Sequence, residues 1–123
     1  MKITSFNPFI LSPKAQETVA FFESLGFEKR HTKTGINDKD ISSFRMKDPN
    51  GFYVDVAQVD SFPQDMTVIR MNVDNFDEAY EFLTARGFTN AQGSKVTDTG
   101  SSKSTLMISP TGFAINLAEH IKQ

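Results

Sequence analysis

The sequence contains no cysteine, which excludes disulfide bonds, thiolate catalysis and thiolate metal sites. Long apolar runs are also missing. The N-terminal segment FNPFIL, residues 6–11, is interrupted by Asn7 and Pro8 and is too short for a signal peptide or a membrane span. We therefore expect a cytosolic, cytoplasmic protein with no membrane partner.

The chain also has no strong excess of positive or negative charge. The sequence has 13 Lys and Arg against 15 Asp and Glu, and no run of basic residues that would neutralise phosphates. Nucleic acid is therefore not an expected partner. A length of 123 residues with 38% hydrophobic residues fits one domain with one core, or two small halves that share one.

A repeat is the strongest positive feature of the sequence. The stretch DPNGFYVDVAQ, residues 48–58, returns as SPTGFAINLAE, residues 109–119, and LGF at 25–27 returns as RGF at 86–88. Both pairs have the same offset, because 86 minus 25 and 109 minus 48 both equal 61. We predict a doubled module within a single domain, residues 1–123, with module 1 at about 1–60 and module 2 at about 65–123.

Each copy begins with a predicted strand followed by a helix. In the first copy ITSFNPFIL is the strand, Ser12 is the predicted N-cap and Pro13 the first helical residue. In the second copy MTVIRMNV is the strand, and Asn75 with Glu78 forms a predicted capping box. Each predicted helix has an apolar stripe at helical spacing and ends at a glycine. The stripe of the first is Ala15, Val19 and Phe22, closed by Gly26, and that of the second is Phe76, Ala79, Tyr80 and Leu83, closed by Gly87.

Three strand-like segments follow each helix, so each module is predicted to be βαβββ. They are FEKRHT, ISSFRMK and FYVDVAQV in the first copy, and FTNAQGSKV, STLMIS and FAINLAE in the second. Polar segments at residues 35–40 and 97–104 are predicted to be loops that either cover a cavity or are simply solvated.

The DPNGF stretch predicts a tight hairpin with a defined register. Proline, asparagine and a left-handed glycine are typical of a three-residue loop with a G1 bulge, which places Arg45 opposite Asp55. A four-residue loop would shift that pairing. The register puts Phe44, Met46, Phe52, Val54 and Val56 on one face and Ser43, Arg45, Lys47, Tyr53, Asp55 and Ala57 on the other. Periodicity also assigns a helix-facing core position to Phe9, Phe22, Phe44, Phe52, Phe82 and Phe113.

With its two modules, a helix ending in LGF and a repeated DPxG turn that enters a strand, the sequence resembles the vicinal oxygen chelate superfamily over nearly the whole chain. That superfamily includes glyoxalase I, extradiol dioxygenases, a fosfomycin-inactivating transferase and bleomycin-resistance proteins. The resemblance implies an α+β fold of two tandem βαβββ modules whose mixed sheets curl round a central cavity, with the helices outside.

In the metal-dependent members of that superfamily, His or Glu side chains on the first and fourth strands of each module hold a divalent ion. The resemblance places the fourth-strand positions at Asp55 and Asn116 and the first-strand positions near Phe6 and Val68. Neither first strand contains His, Glu or Asp, whereas catalytic zinc typically keeps three protein ligands. We therefore predict no metal and no other cofactor, with a divalent ion at an altered site as the alternative.

The predicted ligand-binding residues share the face toward the cavity: Phe6, Arg45, Tyr53, Asp55, Val68, Arg70, Asn72 and Asn116. Either arginine clamps a carboxylate or phosphate, or is an ordinary strand residue. Phe6 and Tyr53 either stack on a flat ligand or fill a vestigial pocket. Asp55 is the one candidate catalytic residue, as a general base, and its alternative role is a structural pair with Arg45.

Two hypotheses of function are consistent with these predictions. The first is a metal-free protein that binds and sequesters a small molecule, similar in architecture to the bleomycin-resistance proteins. The alternative is an enzyme, a lyase or dioxygenase-like protein, with an altered metal site or with Asp55 as base. Bleomycin-resistance proteins bind a cationic ligand and tend to be strongly acidic, whereas this chain has a net charge of only −2. Because arginines are also predicted to face the cavity, we expect anionic or aromatic ligands instead of bleomycin. The resemblance also suggests a homodimer.

Overall fold

The computed structural model describes residues 1–33 and 43–120. These residues form two helices and nine strands, in the order β1 Ile3–Ser12, α1 Ala15–Ser24, β2 Glu28–Lys33, β3 Ser43–Lys47, β4 Tyr53–Gln58, β5 Met66–Val73, α2 Phe76–Thr84, β6 Thr89–Asn90, β7 Thr97–Asp98, β8 Ser102–Ile108 and β9 Ala114–His120. Within the described residues, neither helix has the length and apolar character needed to cross a bilayer.

The chain forms two compact units that do not follow the order of the modules strictly. The N-terminal unit comprises Asn7–Thr67, and the C-terminal unit comprises Val68–Gln123 together with Met1–Phe6. Strand β1 is therefore divided, with its first residues in one unit and its last in the other. Such a division is invisible in the sequence, where ITSFNPFIL is one uninterrupted strand pattern.

The N-terminal unit contains the second half of β1, helix α1 and strands β2, β3 and β4. Its strands are ordered β2-β3-β4-β1, with β1 parallel to β4 through the pair Phe9 and Asp55, and β3 antiparallel to β4. The predicted helix stripe is confirmed, since Ala15 and Val19 are buried and Phe22 packs beside them. Together with the sheet they form one core: Ala15, Val19, Phe44, Met46, Val54 and Val56.

The C-terminal unit repeats this arrangement. Strand β5 runs parallel to β9, pairing Arg70 with Asn116, and β8 runs antiparallel to β9. The short strands β6 and β7 both pair with β8. The core of this unit consists of Met71, Val73, Phe76, Ala79, Leu83, Met107, Ile115 and Leu117. A mixed sheet and one helix in each unit confirm the predicted α+β fold.

Several local predictions for the second copy were wrong. Only Thr89–Asn90 of the segment 88–96 forms a strand, and residues 97–104 contain β7 and the start of β8 instead of a continuous loop. Thr99 N donates to Ser102 O at 3.0 Å and closes the turn between these strands. The matching loop prediction at residues 35–40 lies outside the described residues.

Helix α1 begins two residues later than predicted, which corrects the assignment of Ser12 and Pro13. Ser12 is the last residue of β1, and its Oγ accepts from Lys14 N at 3.0 Å. The N-H of the first helical residue, Ala15, instead donates to Gln58 Oε1 at 2.9 Å. A side chain distant in sequence thus supplies the cap, and periodicity within the helix does not reveal it.

Helix α2 begins as predicted. Asn75 is the N-cap, and its side chain accepts from Glu78 N at 3.1 Å. The reciprocal half of a capping box is replaced by another contact, because the Glu78 carboxylate binds the Met1 amino group. The cap itself satisfies one of the first free N-H groups of the helix.

Both helices end against the hairpin of their own unit, which explains why the two repeated motifs keep their spacing. Gly26 and Gly87 have φ values of +104° and +92°, in the left-handed region that closes a helix. A Cβ on Gly87 would lie 2.8 Å from Pro110 Cγ, and one on Gly26 would lie 4.0 Å from Pro49 Cδ. The glycine of each LGF or RGF motif therefore packs next to the proline of its DPNG or SPTG turn.

The hairpin turns confirm the predicted register. Arg45 pairs with Asp55 in the β3–β4 ladder, and Asp48 N donates to Phe52 O at 2.9 Å. Gly51 has a φ of +94°, as a G1 bulge requires. In the second turn the hydroxyl of Ser109 accepts backbone N-H groups from Thr111, Gly112 and Phe113.

The phenylalanines next to the two turn glycines are not core residues. Phe52 is 67% exposed and Phe113 51% exposed, and Phe82 on α2 is 43% exposed. The core assignment of these three was wrong, whereas Phe44 is buried in the core beside α1 as predicted. Phe9 is buried as well, but its register partner is Asp55, and its neighbour Ile10 packs against that core instead. Phe52 lies just before β4, which begins at Tyr53, so it is outside the ladder whose alternation was used to assign its face.

Candidate functional site

The pair of Arg45 and Asp55 is the centre of the candidate site in the N-terminal unit. Arg45 Nη1 lies 3.1 Å from Asp55 Oδ2. The Asp55 side chain is only 3% exposed and that of Arg45 is 26% exposed. A carboxylate this deeply buried needs a partner, and the cation on the neighbouring strand supplies it.

Asn7 belongs to the same cluster and was missed by sequence reasoning. Its Nδ2 donates to Asp55 Oδ2 at 2.9 Å and to the Pro8 carbonyl oxygen at 2.8 Å. Because both partners are acceptors, they fix the orientation of the amide. The other amide atom, Asn7 Oδ1, is buried and has no hydrogen-bond partner among the described residues.

The repeat itself contains the signal that would have identified Asn7. Subtracting the 61-residue offset from Val68 gives position 7, not position 6. Phe6, predicted to reach the cavity, is 61% exposed, whereas Val68 and Asn7 are both buried. The first-strand assignment was therefore displaced by one residue in the first copy, which in a strand exchanges one face for the other.

Two cations lie close to the ring of Tyr53. The Arg45 Cζ atom is 4.3 Å and the Lys47 Nζ atom 5.5 Å from the ring centroid. Both distances are within the range of a cation–π contact. The structure thus brings together Arg45, Tyr53 and Asp55 of the predicted set, and adds Asn7 and Lys47.

The remaining predicted residues lie in the C-terminal unit. Arg70 and Asn116 are register partners of β5 and β9, and Asn116 Oδ1 is buried without a hydrogen-bond partner among the described residues. Asn72 Nδ2 donates to Ser5 Oγ at 2.7 Å, so this residue ties β5 to the first residues of the chain. Val68 is 3% exposed and apolar.

The donor set around Asp55 does not fit a divalent ion. Its Oδ2 accepts from a guanidinium and from an amide N-H, which place positive charge where a cation would bind. No group of three or more His, Asp or Glu side chains suited to hold a metal occurs among the described residues. We therefore derive no chemistry through a metal at this position.

Two surface pockets lie away from the predicted residues. One, of about 370 Å³, is lined by Ile10, Lys14, Glu17, Thr18, Phe21, Phe22 and Asp65 against α1. The other, of about 440 Å³, is lined by Phe76, Asp77, Tyr80, Glu81, Ser94 and Val96 against α2. In the first pocket the Asp65 carboxylate accepts from the hydroxyls of Ser12 and Thr18, and these bonds join the end of β1 and the helix α1 to the segment before β5.

Comparisons with known proteins agree on the fold. A methylmalonyl-CoA epimerase from Streptomyces coelicolor, solved in complex with 2-nitronate-propionyl-CoA, has 14% identity and a TM-score of 0.69, over 98% of this chain and 100% of that chain. A glyoxalase/bleomycin resistance protein/dioxygenase superfamily member from Vibrio splendidus 12B01 has 14% identity and a TM-score of 0.61, over 96% of this chain and 99% of its own.

A variant of glyoxalase I from Zea mays has 13% identity and a TM-score of 0.67, and the match covers 96% of this chain but 43% of that one. No protein-family model and no curated protein sequence matches the chain. The chain therefore has the fold of the vicinal oxygen chelate superfamily. Identities this low show the fold and not a reaction.

Proposed function

We propose that this chain is a metal-free small-molecule-binding protein built on the vicinal oxygen chelate fold. The observation that carries the proposal is the occupation of Asp55 Oδ2 by Arg45 Nη1 at 3.1 Å and by Asn7 Nδ2 at 2.9 Å. The acid at the fourth-strand position is thus bound to a protein cation. The epimerase from Streptomyces coelicolor, a structural neighbour, was solved with a small-molecule ligand, which supports a binding role for the fold.

The second copy supports the same proposal from different residues. At the positions that match Asn7 and Asp55, it carries Val68 and Asn116. A valine side chain has no atom that binds a metal, and an amide is a neutral ligand. At these positions neither copy therefore offers a set of anionic or imidazole donors, and the polar groups there suit hydrogen bonding to an organic molecule.

Native mass spectrometry of tag-free protein purified without a chelator tests this proposal directly. The expected spectrum has no stoichiometric divalent ion, in the wild type or in Asp55→Asn. A small organic mass retained by the protein would identify the class of ligand. The same spectrum gives the number of chains and so tests the expected homodimer.

One result would overturn the metal-free role: a bound divalent ion at one per chain that is lost in Asp55→Asn but kept in Glu23→Gln. Glu23 lies exposed on α1, so the control makes the same change of charge away from the site. Turnover of methylglyoxal-glutathione hemithioacetal or of a catechol, lost in Asp55→Asn, would replace the binding role by the enzymatic one.

A further inference from the structure

Lys47 lies on the same face of the β3–β4 hairpin as Arg45 and Tyr53. It is the register partner of Tyr53 across the β3–β4 ladder, and its Nζ lies 5.5 Å from the centroid of the Tyr53 ring. The Arg45 guanidinium approaches the same ring to 4.3 Å. Two cations therefore share one aromatic ring, which holds both side chains close together.

The β3–β4 hairpin alone contributes one net positive charge to this face, from Arg45, Lys47 and Asp55. Asp55 offsets one of the two cations through its bond to Arg45. Glu28 on β2 is opposite Lys47 on the same face and adds a negative charge, but its side chain is exposed, and Lys47 forms no ion pair within 4.0 Å with any described residue. Because Arg45, Lys47 and Tyr53 are all half-buried, the excess charge is less well screened than one on an open surface.

Hydrogen-bond donors accompany this charge. Arg45 donates from Nη1 to Asp55 Oδ2, and the guanidinium has five N-H donors in all, so further donors are left for a ligand. Lys47 adds an ammonium with three donors. A planar guanidinium group next to a lysine ammonium group is a combination that suits a carboxylate or a phosphate group.

We infer that the Arg45–Tyr53–Lys47 face selects a small organic anion, and that Lys47 determines this specificity. The inference rests on the proposed binding function and names the class of its ligand. A carboxylate and a phosphate offer the same oxygen acceptors, so the test includes one probe of each. An ordinary role for Lys47 as a solubilising strand residue predicts instead that its removal leaves anion binding unchanged.

The test is a titration of the backbone amides of β3 and β4 by NMR at low ionic strength, with inorganic phosphate and, separately, benzoate. We expect saturable shifts in these strands, and about tenfold weaker binding in Lys47→Gln, as for loss of a hydrogen bond to a charged group. Lys47→Arg keeps the charge and retains binding. A response to phosphate alone assigns a phosphoryl ligand, and a response to benzoate alone assigns a carboxylate.

Lys103→Gln is the matched control, because Lys103 is also a half-buried strand lysine but lies on β8 in the other unit. The inference is overturned when neither probe shifts the β3 and β4 amides, or when Lys103→Gln weakens binding as much as Lys47→Gln. Either result leaves the metal-free role intact. Conversely, a divalent ion at one per chain that is lost in Asp55→Asn but kept in Glu23→Gln refutes that role whatever the outcome of the anion titration.

Discussion

The two hairpins of the molecule share a backbone but differ in chemistry. Arg45 pairs with Asp55 in the N-terminal unit, and 61 residues later Leu106 pairs with Asn116 in the same register. Similarly, Tyr53 is matched by Ala114. The turn and the helix end thus have the same geometry in both copies, while the side chains at these matched strand positions differ. A charged and aromatic cluster is therefore a property of one copy, not a requirement of the fold.

The largest effect in this comparison is expected from removal of the Asp55 carboxylate. Asp55→Ala leaves the partly buried Arg45 without its counter-ion and Asn7 Nδ2 with one partner fewer. We expect the free energy of unfolding to fall by about 2 to 4 kcal/mol, measured by urea denaturation. Asn116→Ala, at the matched position, removes a buried oxygen that has no partner among the described residues. It should cost less than Asp55→Ala, and equal losses would show that the ion pair is not structural.

The helix ends should respond unequally to the same substitution. Gly87→Ala places a Cβ 2.8 Å from Pro110 Cγ and adds the strain of a positive φ, whereas Gly26→Ala meets Pro49 only at 4.0 Å. We expect losses of about 2 to 3 kcal/mol for Gly87→Ala and about 1 to 2 kcal/mol for Gly26→Ala. Thermal unfolding of both variants measures the difference. Identical melting temperatures would mean that the Pro110 ring moves aside at little cost.

The Arg45–Asp55 pair of the first hairpin can be replaced by the leucine and asparagine found at the matched positions of the second. This exchange tests whether the two side chains stabilise the first hairpin through their mutual contact. Arg45→Leu and Asp55→Asn each leave one polar partner behind, whereas the double variant has the pair found in the C-terminal unit. A double-mutant cycle should give a coupling of about 1 to 3 kcal/mol. Urea unfolding of the four proteins measures it. Additive losses would indicate that the two side chains act independently.

The smallest effect is expected at the turns. Asp48 Oδ1 accepts from the N-H groups of Asn50 and Phe52, at 3.1 and 2.8 Å. Ser109 Oγ accepts backbone N-H groups in the second turn. Asp48→Ser should therefore change the free energy of unfolding by less than about 0.5 kcal/mol, and Asp48→Ala should lower it by about 1 kcal/mol. A large loss in Asp48→Ser would show that the two turns are not interchangeable.

Local chemistry made parts of this structure predictable. The glycines at 26, 51 and 87 all adopt positive φ values where the motifs required them. The G1 bulge, once assigned from DPNG, fixed the Arg45–Asp55 pairing ten residues apart without any tertiary information. Asn75 was identified as a cap because its side chain acts on a backbone group three residues away.

Predictions that depended on distant partners were wrong or incomplete. Ser12 was expected to cap α1, but Gln58 supplies that bond from another strand. Phe6 was assigned to the site in place of Asn7, because the strand pattern ITSFNPFIL has apolar residues on both faces and does not fix which face is buried. Lys47 was placed on the same face as Arg45 and Tyr53, but its contact with the Tyr53 ring was not predicted.

The sequence by itself therefore determined the doubling, through two motifs repeated at one offset of 61 residues. It also determined the C-terminal ends of the helices and the register of the first hairpin, since each of these depends on residues within about ten positions of one another. Only the tertiary structure decided that β1 is shared between two compact units and that Asn7 and Arg45 meet on one oxygen of Asp55. Such contacts join strands that are far apart along the chain, and packing of the whole sheet selects them from many alternatives.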